Sequence, residues 1–308
     1  MKRVLFVRNF RRATGGNVTV RDYFQHALAY RRCSPTIYFG PDSRHRESDL
    51  WSWLSPGHVA HAPDWSGADV VVVNGKDWRM LPPSGSFSVV HLVQHLGYAP
   101  DAELRGYLGR PAARICVSAA VRDAIAPYAN GPCFLVPAGV DFTMFRHDGS
   151  RRAGSVLIAA SKAPELGAEI AARLRARGAG ATVLSAWVPR AEFASMLRAA
   201  DVFVGLPLAE EGFYRPALEA MACGCAVVCS DALGNRAFCE NGETCLQPAH
   251  GDAGEHAAAV TLLLADEDLR TRIRDAGRAR AASFDLDRER ASVHAIFDTI
   301  FADAGPRA

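Results

Sequence analysis

The stretch from residue 201 to residue 230 reads DVFVGLPLAEEGFYRPALEAMACGCAVVCS, and it decides the fold. It predicts buried strands over 201–206 and 226–230, because both runs are almost continuously apolar. Between them it predicts a helix over 215–222, since Pro216 suits a first helical turn, where its missing N–H would have no partner. A strand, a helix and a second strand in this order form the repeating unit of a parallel α/β sheet.

The same alternation fills two halves of the chain, which the polar run at 146–152 separates. Strands are predicted at 3–7, 36–40, 69–74, 87–93, 113–118 and 133–137, and then at 155–160, 181–187, 201–206, 226–230 and 244–246. Helices are predicted at 18–30, 119–128, 165–177, 190–199, 215–222, 252–264 and 287–301. The segment 41–66 is predicted to consist mostly of loops. The fold class is therefore α/β, with two doubly wound, Rossmann-like domains and a ligand cleft between them.

The predicted domains are residues 1–147 and 148–286. The C-terminal segment 287–308 carries an apolar stripe that must be buried against another part of the protein.

Composition excludes several classes of protein. Across 308 residues, 35 Lys and Arg balance 33 Asp and Glu, and a net charge of +2 argues against a general polyanion binder. No apolar run approaches the roughly 18 residues that a membrane span needs. The start, MKRVLFVR, is predicted as a first strand and not as a signal peptide. The eight cysteines show no metal-ligand spacing, so buried thiols and a cytoplasmic location are expected.

The loop before the helix at 215–222 can bind an anion. The free N–H groups and the positive end of the helix dipole lie at 212–216, and Gly212 has no side chain to hinder a ligand. Glu219 lies five residues beyond Tyr214, or about 8 Å along the helix, which is comparable with the reach from a diphosphate to a ribose. Glu211 falls on the opposite side of the phosphates, where a sugar would lie.

The run at 211–224, EGFYRPALEAMACG, resembles the signature of GT4-type retaining glycosyltransferases with the GT-B fold (glycosyl transferases group 1). That signature consists of two glutamates separated by seven residues, followed by Ala-Met-Ala-x-Gly. Shorter segments that also resemble the family lie at 14–17, 115–123, 136–145 and 227–243. The resemblance is good from about residue 113 to residue 301 and thin at 30–90.

The resemblance implies that the C-terminal segment 287–308 packs back on the first domain, and it implies roles for matching positions. Glu219 would bind the ribose, Glu211 would contact the donor sugar, and the amides of 212–214 would face the sugar and the phosphate. The implied catalytic residues are Glu211, Lys162 and His95. The implied donor-binding residues are Gly15, Gly16, Gly212, Phe213, Tyr214, Arg215 and Glu219. The implied acceptor-side residues are Arg8, Arg11, Arg12 and Asn17. For His95 and for the arginines, a purely structural role and a solvated basic face remain open alternatives.

One segment departs from the family pattern. The family has an arginine and, five residues later, a Lys-Gly pair after the first strand of the second domain. Ser161 stands at the place of the arginine, and Leu166 precedes the glycine. Lys162, together with Arg215, is the expected substitute for stabilising the leaving diphosphate.

The resemblance implies a retaining, metal-independent transfer of a sugar from a nucleoside-diphosphate sugar, with no cofactor. An Asp-x-Asp match at 285–287 opens the last helix and is predicted as its cap rather than as a metal site. The acceptor stays undetermined: a small molecule, a glycan, a lipid-linked compound or a nucleic acid, with an anionic acceptor favoured and peripheral membrane contact left open. A nucleotide-sugar epimerase and a catalytically silent nucleotide-sugar-binding subunit remain alternatives.

Overall fold

The computed structural model describes residues 1–303 and divides the chain into two compact units. Unit 1 comprises residues 1–137 together with the C-terminal helix from residue 287, and unit 2 comprises residues 138–286. This boundary precedes the polar run at 146–152 that the sequence suggested as the linker. Residues 304–308 of the predicted C-terminal segment lie outside the described residues.

Unit 1 is built on one parallel sheet. Its strands are β1 (Lys2–Arg8), β2 (Cys33–Phe39), β3 (Val59–Ala60), β4 (Val70–Asn74), β5 (Ser88–Val93), β6 (Ala113–Cys116) and β7 (Cys133–Leu135). They lie in the order β3-β2-β1-β4-β5-β6-β7, and every pair is parallel. The direction of winding reverses between β1 and β4. Ligands of doubly wound sheets bind at such a switch point, beyond the carboxyl ends of the strands.

Three α-helices connect strands of unit 1, and their caps explain where they begin. They are α1 (Gly15–Leu28), α2 (Ala102–Leu108) and α3 (Ala119–Ile125). The Thr14 hydroxyl accepts from the amide of Asn17 at 3.3 Å at the start of α1. Ser118 caps α3 as predicted, since its hydroxyl accepts from the amide of Val121 at 3.2 Å.

The segment 41–66 of unit 1 contains short turns, and two tryptophans of unit 1 are buried in its core. Short 3₁₀ turns at His45–Glu47, Asp49–Trp51 and Pro56–His58 confirm that the segment 41–66 is mostly loop. Trp51 and Trp78 are buried in hydrophobic clusters on unit 1, so their rings serve packing.

Unit 2 contains a second, smaller parallel sheet. Its strands are β8 (Val156–Ala159), β9 (Thr182–Leu184), β10 (Val202–Gly205) and β11 (Ala226–Cys229), in the order β11-β10-β8-β9. All residues of β8, β10 and β11 are buried, as their apolar runs predicted. The switch point of this sheet lies between β8 and β10.

The helices of unit 2 match the sequence prediction except at one place. They are α4 (Pro164–Ala176), α5 (Arg190–Ala199), α6 (Arg215–Ala222), α7 (Ala253–Ala265) and α8 (Glu267–Ala281). Helix α8 was not predicted, because its buried residues, Ile273, Gly277 and Ala281, form a narrow and weakly apolar stripe. The strand predicted at 244–246 is reduced to two isolated bridges, between Val228 and Leu246 and between Asn241 and Cys245.

The last helix, α9 (Leu286–Asp303), belongs to unit 1 from residue 287 onward. Its apolar stripe joins the same core as β1 and α1; the stripe residues are Val293, Ile296, Phe297, Ile300 and Phe301. His26 of α1 and Glu289 of α9 form a buried pair at 3.3 Å. Within residues 1–303, none of the helices combines the length and the apolar character that crossing a membrane requires.

Candidate active site

The switch point of unit 2 holds an ion pair. Lys162 follows β8 and Glu211 follows β10, and the Lys162 ammonium is hydrogen-bonded to Glu211 Oε2. The Lys162 Nζ also lies 5.4 Å from the centre of the Tyr214 ring. Because the carboxyl ends of adjacent parallel strands meet at one edge of the sheet, residues 49 positions apart come together here.

The loop between Glu211 and α6 offers backbone donors. Among the hydrogen bonds of the described residues, none is donated by the amide of Gly212 or of Phe213. The amide of Tyr214 is different, because it donates to Asn235 Oδ1 at 2.9 Å. Two of the three amides that the sequence pointed to are therefore available for a ligand at the start of α6, and the third one fixes the loop.

A second loop, after β11, holds the first one in place. The amide of Gly234 donates to the Glu211 carbonyl at 3.0 Å, and the amide of Leu233 donates to the Ala209 carbonyl at 3.3 Å. A Cβ atom at position 234 would lie 1.9 Å from the Gly212 carbonyl oxygen, so only glycine permits this approach. The two glycine turns therefore pack directly against each other.

Glu219 is buried one helical turn into α6 and is already paired. Arg190 Nη2 donates to Glu219 Oε1 at 2.9 Å, and Arg215 Nε lies 3.7 Å from the same oxygen. The Arg215 guanidinium also donates to the Gly139 carbonyl at 2.9 Å. Arg215 thus points into the buried cluster with Glu219, whereas Lys162, which was predicted to act beside it, is paired with Glu211.

The segment that departs from the family pattern combines an exposed loop at 161–162 with a closely packed glycine at 167. Ser161 and Lys162 are exposed, and Lys162 is the cation that this loop presents at the switch point. A Cβ atom at position 167 would lie 2.3 Å from the Ala160 side chain, so Gly167 serves the close packing of α4 on β8.

The switch point of unit 1 also holds an ion pair. Arg8, at the end of β1, pairs with Asp77, which lies in the turn after β4, and its Nε donates to Asn17 Oδ1 at 2.8 Å. Burial raises the pKa of the Asp77 carboxyl, and the Arg8 guanidinium opposes that rise. Asn17 donates to the Arg12 carbonyl at 2.8 Å. Arg8 and Asn17 therefore shape the loop that was predicted to face the acceptor.

The glycine turn and His95 lie on neighbouring loops of unit 1. Gly15 is exposed with open space above its Cα, and Gln94 Nε2 donates to the Gly16 carbonyl at 3.1 Å. His95 is exposed, and its ring centre lies 4.7 Å from that of Tyr98. The structure thus brings the turn at 15–16 and the residue preceding His95 into contact.

Of the two exposed arginines of that predicted acceptor side, Arg11 borders a cavity. Arg11 pairs with Asp42 at 3.3 Å, and Arg11, Asp42 and Arg44 line a cavity of about 430 Å³. Arg12 is exposed. Arg44 was missed by the sequence analysis because it lies in the polar segment 41–66, where no pattern distinguishes it.

Two further residues of unit 2 were not found from the sequence as site residues. Arg190 follows Pro189 at the start of α5 and looks like a surface arginine in the sequence, although the folded chain buries it. Asn235 lies in the segment 227–243, which resembles the family, but no role was predicted for it, and its side chain anchors the amide of Tyr214. Across the described part of the chain, no group of three or more His, Cys, Asp or Glu side chains is arranged to hold a metal ion.

Two doubly wound units, each with a parallel sheet and a switch point, define an α/β protein of the Rossmann-like class. The structure aligns with that of Anabaena Alr3699/HepE in complex with UDP-glucose at a TM-score of 0.78 and 15% identity, over 97% of this chain and 100% of that one. A sucrose-phosphate synthase from Thermosynechococcus elongatus aligns with a TM-score of 0.78 and 16% identity, over 98% and 100% of the two chains. The predicted GT-B fold is confirmed.

Part of unit 2 is similar in sequence to known glycosyltransferases. Residues 172–280 match the family model described as Glycosyl transferases group 1, which agrees with the predicted glycosyltransferase resemblance. Over 112 residues, the chain is 30% identical to a D-inositol 3-phosphate glycosyltransferase of Corynebacterium jeikeium (strain K411). That alignment covers 36% of this chain and 26% of the relative, so it spans about a quarter of the relative's length.

Proposed function

We propose that this chain is a GT4-type, retaining and metal-independent glycosyltransferase that moves a sugar from a nucleoside-diphosphate sugar to an anionic acceptor in the cytoplasm. The observation that carries the proposal is the pair of unpartnered amides at Gly212 and Phe213, between the Lys162–Glu211 pair and Glu219. The Anabaena protein, whose fold is similar, was solved in complex with UDP-glucose, which supports a nucleotide sugar as the donor.

The donor would be bound in three parts along one loop and helix. The amides of Gly212 and Phe213 and the start of α6 would bind the diphosphate, because unpaired N–H groups and the helix dipole favour an anion there. Glu219 would accept hydrogen bonds from the ribose hydroxyls. Glu211 would accept from hydroxyls of the sugar and exchange its bond with Lys162 for them.

The reaction breaks the bond between the anomeric carbon and the diphosphate oxygen while negative charge grows on the diphosphate. Lys162, released from Glu211, and the amides of Gly212 and Phe213 would stabilise that charge. The acceptor oxygen would attack from the same face of the sugar and pass its proton to the departing phosphate oxygen, which retains the anomeric configuration. This scheme needs no divalent cation, since the cation and the amides supply the positive charge. The Asp-x-Asp match fits a helix start: Asp287 pairs with Arg290 at 2.8 Å within α9.

The acceptor would bind to the carboxyl edge of the unit 1 sheet. Arg11 and Arg44 line the cavity there, Arg12 is exposed, and guanidinium groups favour phosphate and carboxylate partners. A small phosphorylated compound, a glycan, a lipid-linked acceptor at a membrane surface and a nucleic acid all offer such groups. The acceptor class is therefore proposed only as anionic.

The first test is a thermal-shift screen with nucleoside diphosphates and their sugars. A ligand at 100 times its dissociation constant stabilises the folded protein by about 2.7 kcal/mol. Glu219→Gln is expected to reduce that effect strongly, because a hydrogen bond to a charged group contributes about 1.5–3 kcal/mol. Glu169→Gln is the matched control, since this glutamate pairs with Arg173 on the exposed surface of α4.

Products distinguish the proposal from its alternatives. Incubation of the stabilising nucleotide sugar with anionic acceptors should yield a glycoside with the anomeric configuration of the donor, and a chelator should not reduce its formation. A new nucleotide sugar formed without acceptor would instead indicate an epimerase. Binding without transfer to any acceptor would indicate a silent subunit, and no stabilisation by any nucleotide would refute the donor site.

A further inference from the structure

We propose that Arg190 is a positioning residue that orients Glu219, and that this pair makes the donor site select ribonucleoside over 2′-deoxyribonucleoside diphosphates. The inference rests on the proposed function, because it assigns the ribose to Glu219. The inference goes beyond the proposed function, because it assigns the origin of the ribose preference to a residue on a different helix. No motif in the sequence pointed to Arg190.

Arg190 is held on two sides. Its Nη2 donates to Glu219 Oε1 at 2.9 Å, and the centre of its guanidinium lies 4.7 Å above the Phe145 ring. The exposed fractions of the Arg190 and Glu219 side chains are 9% and 3%. A planar cation that stacks on a buried ring and donates to a carboxylate has little freedom to rotate. The guanidinium therefore fixes the direction of the carboxylate.

Arg215 contributes less to this orientation. Its Nε lies 3.7 Å from Glu219 Oε1, beyond hydrogen-bond distance, while its Nη2 donates to the Gly139 carbonyl. Arg215 also lies four residues before Glu219 on the same helix, so it moves with the carboxylate. Arg190 comes from α5 and ties Glu219 to a separate element.

Both arginines approach Oε1, which assigns Oε2 to the ligand. A buried carboxylate is costly unless it is paired, and Arg190 offsets that cost before any ligand arrives. Glu219 is thus prepared to accept from a hydroxyl donor at small entropic cost. The 2′-hydroxyl is one of the two donors on a ribose. A site built to accept from it penalises a ligand that lacks it.

The magnitude follows from one charge-assisted hydrogen bond. Losing such a bond weakens binding by about 10- to 150-fold. The unmodified protein is therefore expected to bind at least one of UDP, GDP and ADP about 10- to 150-fold more tightly than the corresponding 2′-deoxyribonucleotide. In Arg190→Ala and in Arg190→Gln, the ratio of the affinity for the ribonucleotide to that for the deoxyribonucleotide is expected to fall below about 3. The affinity for the deoxy compound should be nearly unchanged. Arg190→Lys should restore part of the ratio.

The test is isothermal titration of each variant with the three diphosphates and their 2′-deoxy forms. Arg198→Ala is the matched control, because Arg198 lies on the same helix and pairs with Asp148 at 2.9 Å. It should keep the ratio. A double-mutant cycle distinguishes orientation of Glu219 from a general loss of packing. In a Glu219→Gln background, removing Arg190 should not change the ratio of the two affinities further.

The outcomes separate the two claims. A wild-type ratio that persists in Arg190→Gln, or a further drop in the double variant, overturns the role of Arg190 and leaves the donor site standing. A wild-type protein that binds none of the three diphosphates overturns the donor site and the present inference with it. If Arg190→Ala fails to fold, the Gln and Lys variants decide the question.

Discussion

Gly234→Ala should damage the donor loop without replacing any residue assigned to the donor. The new Cβ atom would lie 1.9 Å from the carbonyl oxygen and 2.1 Å from the carbonyl carbon of Gly212. Both are backbone atoms, so no side chain can rotate out of the way. Since contacts below 3.0 Å essentially do not occur for Cβ atoms, the two turns must separate by about 1 Å.

The separation has a calculable effect on stability and on binding. Overpacking of this kind costs about 1–3 kcal/mol, and each kcal/mol lowers Tm by about 2–4 °C in a domain of this size. The same shift moves the amides of Gly212 and Phe213 away from the diphosphate. A displacement of 1 Å costs about 100-fold in a rate that depends on positioning. We therefore expect kcat/KM for the donor to fall about 100-fold.

Two measurements test this reasoning. Calorimetry gives Tm and the affinity for the nucleotide that the screen identifies, and hydrogen exchange should show faster exchange of the amides at 209–214. Gly180→Ala is the control, because open space surrounds that position and its φ is not in the left-handed region. If Gly234→Ala matches Gly180→Ala in both Tm and nucleotide affinity, the close approach of the two turns is refuted.

Three further predictions follow from the contacts described above. Lys162→Ala should lower turnover about 100-fold, because it removes the charge that would meet the leaving diphosphate, and steady-state kinetics checks this. Burial lowers the pKa of His256 and lowers that of His91 well below its usual range. The unfolded chain therefore takes up protons that the folded chain does not as pH falls below about 6.5, and stability should fall by up to about 1.4 kcal/mol per pH unit for each histidine, measurable as Tm against pH. Arg114→Met should destabilise the fold by about 3–5 kcal/mol in denaturant titrations, because the buried guanidinium donates to five backbone carbonyls.

Each of these three predictions has a control variant and an outcome that would contradict it. Lys76→Ala removes an exposed lysine from unit 1, and turnover losses equal to those of Lys162→Ala would deny Lys162 a special role. His256→Gln should flatten the acid slope of Tm, so an unchanged slope would contradict the titration argument. Arg122→Met removes an exposed pair with Asp123 and should cost under about 0.5 kcal/mol. A similar small cost for Arg114→Met would show that its carbonyl contacts matter little.

Much of the fold could be predicted because its signals are local. The apolar runs at 202–205 and 226–229 are buried on both faces, and α5 and α6 begin and end at the predicted residues. Helix α8 escaped prediction because small residues pack closely without a strong apolar period. The strand at 244–246 was predicted from composition alone, whereas a ladder also needs a partner in register, and only isolated bridges form at Cys245 and Leu246.

The candidate site also has one part that local sequence predicts and another part that depends on the fold. The spacing of Glu211, Gly212 and Glu219 could be read from one continuous segment, since loop and helix geometry fix their separation along the chain. The pairing of Lys162 with Glu211 is different, because it requires two strands that are neighbours in the sheet but distant in sequence. The assignment of Arg8 and Asn17 to the acceptor remains a proposal. Their contacts show that they also organise their own loop.

The sequence by itself determined the alternation of strands and helices, the place where helix α6 begins and the order of chemical groups along it. These properties arise from backbone geometry and side-chain period within a few residues. Only the tertiary structure decided that Arg190 holds Glu219, that Asn235 takes the amide of Tyr214, and that Gly234 must lack a side chain. Such pairings depend on which loops meet at the edge of a sheet, and no local pattern encodes a contact between residues that only the completed fold brings together.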